Sequence, residues 1–179
     1  MTKNKRLTPE AIVKSFKDEF KTKIKDARIE KRKSGSKKAE YVHIWMRVDK
    51  SVFKNVVKHL ITLQEYPHLA VTSGSDMGKT IELIYHFSMY YGTRNQEVSL
   101  NIAVEVPKTN PTIETISDLI PGAVITEREK QEMLGVKIKD IPDNRRVFLP
   151  DDFPEGVYPW RKDETGPQKM VRNLHEVKK

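Results

Sequence analysis

The sequence predicts an α+β fold: a two-layer sandwich, mostly antiparallel sheet with helices on one face, plus an extended C-terminal tail. Three observations carry this. Ile81, Leu83, Tyr85, Phe87 and Met89 alternate at strand period, as do Val98, Leu100, Ile102 and Val104. Val52, Phe53, Val56, Val57, Leu60 and Ile61 form a stripe at helical spacing. Beyond Gly135 both periods vanish, and prolines 142, 150, 154, 159 and 167 supply half of the chain's 10.

The elements follow in order. Thr8-Pro9-Glu10 reads as a helix start: an N-cap, a proline at the first helical position and an acid in the first turn. Ile12, Phe16, Phe20, Ile24 and Ala27 then form one apolar stripe, with lysines crowding the other faces. The expectation is a basic amphipathic helix ending in a Lys31–Lys38 linker. Tyr41 to Val48 alternates as a strand, and Asp49 or Ser51 can cap the second helix. His68 to Thr72 reads as a short strand and Gly74 to Gly78 as a turn before the long strand from Ile81. Gly92-Thr93-Arg94-Asn95 turns again. Ile113 to Leu119 is a short helix candidate, and Thr126 can cap another from Glu127 to Leu134. The expected organisation is residues 1–38 as basic helix and linker, 39–134 as an α+β core domain, and 135–179 as an extended partner-docking tail.

Composition narrows the function. The chain has 179 residues, enough for one domain with a real core. Its apolar runs fall short of the roughly 20 residues needed to span a bilayer, and its N-terminus lacks the apolar core of a secretion signal. These features point to a cytoplasmic protein that meets a membrane only peripherally. There is no cysteine, so thiol nucleophiles, disulfides and cysteine-bound clusters within this chain are excluded. The net charge of +8 is unevenly placed: residues 1–40 hold 14 Lys and Arg against 6 Asp and Glu, and the remainder holds 19 against 19. The excess belongs to the N-terminal segment.

Chemical motifs are sparse. Gly74-Ser-Asp-Met-Gly78-Lys79-Thr80 is one residue short of a phosphate-binding loop and leads into a strand rather than a helix, so a hairpin turn is the better reading. His43, His59, His68, His86 and His175 form no metal-ligand spacing. Glu129 and Glu132 share a helix face but have no reaction partner in the sequence. The basic N-terminal segment has the charge of a nucleic-acid binder. Its aromatics, however, sit on an apolar stripe instead of interleaving with the basic residues as a stacking platform requires.

The tail is more informative. Arg145, Arg146, Arg161 and Lys162 stand in a non-periodic stretch beside Phe148, Phe153, Tyr158 and Trp160. Arginine forks fix carboxylates across interfaces, and aromatics anchor them. Such a segment reads as a surface made to lie against another protein.

Within it, E-R-E-K-Q-E-M-L-G-V-K-I resembles the E-R-E-x-x-[DE]-hydrophobic-hydrophobic-G signature of the C-subunit family of respiratory complex I. P-D-N-R-R-V-F-L resembles that family's P-D-L-R-R-I-L, and G-V-Y-P-W-R-K-D its G-x-P-L-R-K-D. P-T-I-E-T-I-S-D-L resembles the stretch before the signature. The resemblance implies a subunit without a redox cofactor or metal in the hydrophilic arm of a membrane-bound complex. It would dock on a large subunit related to that of [NiFe]-hydrogenases, beside a cluster-bearing small subunit and membrane subunits, at the cytoplasmic side of the membrane. The family's Gly-His-Pro is Asp140-Ile141-Pro142 here, which suits a hydrogenase-like complex better than the quinone-reducing branch. By position, the signature residues are Glu127, Arg128, Glu129, Glu132, Gly135, Pro142, Arg145, Arg146, Pro159, Arg161 and Lys162.

The functional expectation is thus a non-catalytic assembly subunit of an ion- or proton-translocating oxidoreductase. Partner contact is expected at Glu127, Arg128, Glu129, Glu132, Arg145, Arg146, Pro159, Trp160, Arg161 and Lys162. A free-standing basic nucleic-acid-binding module is the alternative, and catalysis by the chain alone the third reading.

Overall fold

A computed structural model describes residues 6–36, 38–92 and 96–170. Helix α1 (Pro9–Phe20) starts where the sequence places it, with the Thr8 hydroxyl accepting from the Ala11 N–H. Strands β1 (Ile24–Ser34) and β2 (Ala39–Val48) form a hairpin. Asp49 caps a 3-10 turn that leads into α2 (Phe53–Leu63). Strands β3 (His68–Asp76), β4 (Thr80–Met89) and β5 (Val98–Pro107) follow. A short β6 (Thr112–Glu114) pairs in parallel with β7 (Lys137–Lys139) on either side of α3 (Ala123–Leu134).

The main sheet has the order β1-β2-β5-β4-β3, antiparallel except between β2 and β5. It is the expected α+β architecture. One sheet face carries Ile44, Met46 and Val48 on β2, Leu83, Tyr85 and Phe87 on β4, and Leu100, Ile102 and Val104 on β5, all buried. Helix α1 covers it with Ile12 and Phe16, and α2 with Phe53, Val56, Val57 and Leu60. Helix α3 lies over β3 on the same side, where Thr72 meets Thr126 and Gly74 faces Leu134. The opposite face keeps polar side chains. There Ser73, His86 and Asn101 form a hydrogen-bonded file of 2.8 and 2.6 Å that ends on the Ile44 carbonyl, knitting four strands together.

Several local expectations change. The first helix ends at Phe20, where Lys21 takes a left-handed backbone (φ 48°). Ile24 and Ala27 therefore belong to β1, and the basic stretch read as helix end and linker is an edge strand paired along β2 from Ile24 to Ser34. Lys, Arg and Glu have little intrinsic preference for strands, so the pairing with β2 imposes this state. Gly74 lies inside β3 and not in the turn, which spans Met77 to Lys79. The segment read as a helix at 113–119 is β6 and a turn. Helix α3 begins at Ala123, so Thr126 sits within its first turn and donates its hydroxyl to the Ala123 carbonyl. The Gly92 turn and His175 fall partly or wholly outside the described residues.

Gly74 sets how closely α3 approaches the sheet: a Cβ there would lie 2.5 Å from Leu134 Cδ1 and 3.2 Å from Lys130 Cδ. Both neighbours are buried, so Gly74→Val should force α3 outward and cost about 1–3 kcal/mol. Chemical denaturation of the variant against the parent chain measures it.

Candidate functional site

A chain that runs without helix or ladder over a folded domain leaves its backbone N–H and C=O groups to be satisfied by side chains or water. After β7 this chain does so until a final 3-10 turn at Pro167–Lys169. The side chains that meet the need come largely from α3.

Glu132, 9% exposed, accepts the N–H groups of Val147, Phe148 and Leu149, the last two at 3.0 and 2.9 Å. Arg128 donates Nε to the Arg145 carbonyl at 2.6 Å and Nη2 to the Arg146 carbonyl at 3.0 Å, and pairs with Asp143. Arg146 turns inward, its Nη1 donating to the carbonyls of Pro150 and Phe153. Arg145 points outward, pairing with Asp143 and holding that carboxyl far below its usual range.

The α3 C-terminus anchors the second half. Gly135 is left-handed (φ 67°), closing the helix, and the Tyr158 ring lies so near that a Cβ would be 2.5 Å from it. Arg161, 8% exposed, donates Nε to the Leu134 carbonyl at 2.6 Å and lies over the Tyr158 ring. A guanidinium at these free carbonyls also complements the negative end of the helix dipole. The Trp160 N–H donates to the Met133 carbonyl, and its ring covers the buried Lys130 ammonium, which also pairs with Glu129. Burial pushes the Lys130 pKa down.

A third anchor escaped the sequence. Asp76, at the end of β3, accepts from Lys108 Nζ at 2.6 Å and from the Lys162 N–H at 2.8 Å. Lys108 also pairs with Asp163. Burial works to raise the Asp76 pKa, but the Lys108 ammonium and the N–H groups of Lys162 and Gly78 hold it low. Asp76 sits in the loop-like Gly74–Thr80 stretch, where its tail contact has no local signal. Lys108 stands in no motif at all.

The residues expected to meet a partner thus divide. Glu127, Glu132 and Arg161 are buried, Arg128 is nearly so, and all are engaged within the chain. Glu127 lies beneath α3, accepting from the Ile116 N–H at 3.0 Å and the Thr115 hydroxyl. Glu129, Arg146 and Pro159 are half-buried, while Arg145, Trp160 and Lys162 face solvent. Phe148, outside that set, is 56% exposed, and Val147 and Ile125 are exposed as well. The outer side of α3 and its tail therefore presents apolar surface with an arginine at its margin.

The arrangement is that of a domain with a strap, an α+β sandwich whose irregular C-terminal segment is bound down by its own charged side chains. The model of the family described as "Respiratory-chain NADH dehydrogenase, 30 Kd subunit" matches residues 46–169, and the chain belongs to this family. It is 39% identical to the membrane-bound hydrogenase subunit beta of Pyrococcus furiosus over 131 residues, 73% of this chain and 75% of that one. It is 31% identical to a subunit of the F(420)H(2) dehydrogenase of Methanosarcina mazei over 166 residues, 91% and 96% of the two chains. A chain of the membrane-bound sulfane sulfur reductase, an archaeal respiratory membrane complex, shares the fold with a TM-score of 0.70 at 20% identity, over 95% of both chains.

Two outcomes are expected. Glu132→Ala should strand the half-buried amides of residues 147–149 and cost about 1.5–3 kcal/mol, the range for hydrogen bonds to a charged group. Limited proteolysis should then cut first between Asp143 and Phe153. Glu127 has its pKa raised above 4.5, foremost by burial. The folded state then binds the extra proton, so stability should fall as pH rises from 4.5 through the raised value. Thermal unfolding of Glu127→Gln should lack that decline.

Proposed function

We propose that this chain is a structural and assembly subunit in the hydrophilic arm of a membrane-bound, ion- or proton-translocating oxidoreductase. It docks through its tail on the [NiFe]-hydrogenase-type large subunit, with a cluster-bearing small subunit and membrane subunits in the same assembly. It lies peripherally, on the cytoplasmic side. Family membership and the names of the relatives support a subunit role. Among the described residues no helix is long and apolar enough to cross a membrane.

The observation that carries the docking surface is the direction of the side chains. The buried members of the signature hold the tail in shape. Val147 and Phe148 stay at the surface close in sequence to Arg145, whose side chain is 83% exposed, and Trp160 is exposed over Lys130. Exposed aromatics on a pre-shaped backbone are what interface anchors require, because little conformational freedom remains to be lost on binding. In this reading Glu127, Arg128, Glu132 and Arg161 serve the partner through the tail's shape. Arg145, Trp160 and Lys162 touch it, with Glu129, Arg146 and Pro159 at the margin.

The test is affinity purification of the tagged chain from gently solubilised membranes, with its partners identified by mass spectrometry. Phe148→Asp should leave the melting curve of the chain unchanged and weaken retention of the large subunit by about 30-fold or more, the loss of a binding hot spot. Undiminished retention overturns the reading.

A further inference from the structure

The basic surplus has an unexpected location. Residues 21–38 hold nine Lys and Arg against two Asp and Glu, which is seven of the net eight charges of the whole chain. The described residues of this stretch, 21–36 and 38, form β1 and its flanking turns, and β1 is an edge of the five-stranded sheet. One side of β1 pairs along β2 with unbroken register from Asp26 to Ser34. No described strand pairs with its other side.

We propose that this edge receives an extended acidic segment of another subunit, which adds to the sheet as a sixth strand. The reading rests on the chain being part of an assembly, and it concerns a surface separate from the tail. Two properties point to the occupant. The free side of β1 offers main-chain N–H and C=O groups in a row, which a peptide strand satisfies along its whole length. The flanking side chains are exposed and mostly basic, five Lys and Arg against Asp26 and Glu30: Lys25, Arg28, Lys31 and Arg32 have 51, 60, 47 and 74% of their side-chain surface in solvent.

Local acids neutralise only part of this. Glu30 serves both Arg28 and Arg32, Glu10 serves Lys31, and Asp49 reaches Lys23 and Lys25 only at 3.8 and 4.0 Å. Lysines on an edge are also how a sheet avoids pairing with copies of itself. A second β1 would bring like charges together, whereas an acidic strand meets complementary ones. One pattern thereby rejects self-association and selects the partner. Beyond Val42 the hairpin also outruns β5, whose pairing with β2 begins at Val98. Arg32, Lys33, Glu40 and Tyr41 form a ribbon projecting past the sheet, and Tyr41 is 53% exposed.

The experiment uses the native complex purified through a tag on this chain. A carbodiimide, which joins amines to carboxylates at zero length, should link Lys25, Lys31 or Lys33 to an Asp- and Glu-rich segment of one other identified subunit. Hydrogen exchange in β1 should be slowed by about tenfold or more in the complex relative to the isolated chain, as ladder hydrogen bonds do. Arg28→Glu/Lys31→Glu/Lys33→Glu should abolish both signals while the large subunit stays bound through the tail. The inference is overturned if these lysines link only to carboxylates of their own chain, or if β1 exchange is the same in both states. Binding of the isolated chain to phosphatidylglycerol vesicles, with β1 unlinked to protein in the complex, also overturns it and assigns the edge to lipid. A chain that purifies alone defeats the assembly role itself. A chain that retains the large subunit while β1 stays bare defeats only this inference.

Discussion

The tail's form depends on one requirement: a backbone with no helix or ladder must still satisfy its hydrogen bonds against a folded surface. From Asp140 to Gly166 the tail's own sequence denies it regular structure, since each proline removes a donor and restricts the residue before it. The polar groups that would otherwise pair with each other are met by α3 and the sheet. Glu132 gathers three successive amides, Arg128 two carbonyls and Asp76 the amide of Lys162, while in return the tail's Arg161 meets the carbonyl at the end of α3. Bonds of this kind join an ionised group to a neutral one and are worth roughly 1.5–3 kcal/mol each. A few of them substitute for the cooperative network of a strand.

The same requirement explains the charged residues within α3. A helix reading E-R-E-K-Q-E has the composition of a solvated surface, and its apolar positions do not make a clear stripe. Yet Glu127, Lys130 and Glu132 are buried. Each is buried with a partner: Glu127 with Thr115 and the Ile116 amide, Lys130 with Glu129 and the Trp160 ring, Glu132 with the tail. Burial of charge is tolerable only on those terms. Removing the tail would leave Glu132 and Lys130 without much of their environment, so helix and tail form a single unit. Gly135 adds a steric condition, because its left-handed turn and the ring of Tyr158 occupy space that any side chain would need.

What the sequence made legible follows from this physics. The strands at Tyr41–Val48, Ile81–Met89 and Val98–Val104 and the helix from Phe53 are amphipathic at a clean period, and burial follows the period except in Val98–Val104, where Asn101 and Ala103 of the central strand are buried on the other face too. The resemblance of the tail motifs located the candidate site. Their side-chain roles were not legible, because a motif records which residues occur together and not whether they face inward or outward. Strand β1 was hidden for a different reason. Ile24 and Ala27 continue the spacing of the preceding helix, and the basic residues after them resemble a linker. Only pairing with β2, contacts remote from any local pattern, makes them a strand. Asp76 and Lys108 lie 32 positions apart and meet only after β3, β4 and β5 have assembled.

The position of the charges then separates two kinds of surface on one small domain. Around α3 the charges of Arg128, Glu129, Lys130, Glu132 and Arg161 are engaged within the chain, and the apolar side chains of Phe148 and Trp160 are exposed on the tail, so the proposed docking there rests chiefly on shape and buried area. Along β1 the exposed side chains are predominantly basic, five Lys and Arg against Asp26 and Glu30, and only partly compensated. Electrostatic attraction at such an edge acts over about 8 Å at physiological ionic strength. It favours correct encounter more than tight final packing. The two surfaces also lie on opposite margins of the sheet, since β1 is one edge strand and β3, which carries α3 and receives the tail at Asp76, is the other. A domain built this way can hold one neighbour by fit and another by charge without the two sites competing for the same residues.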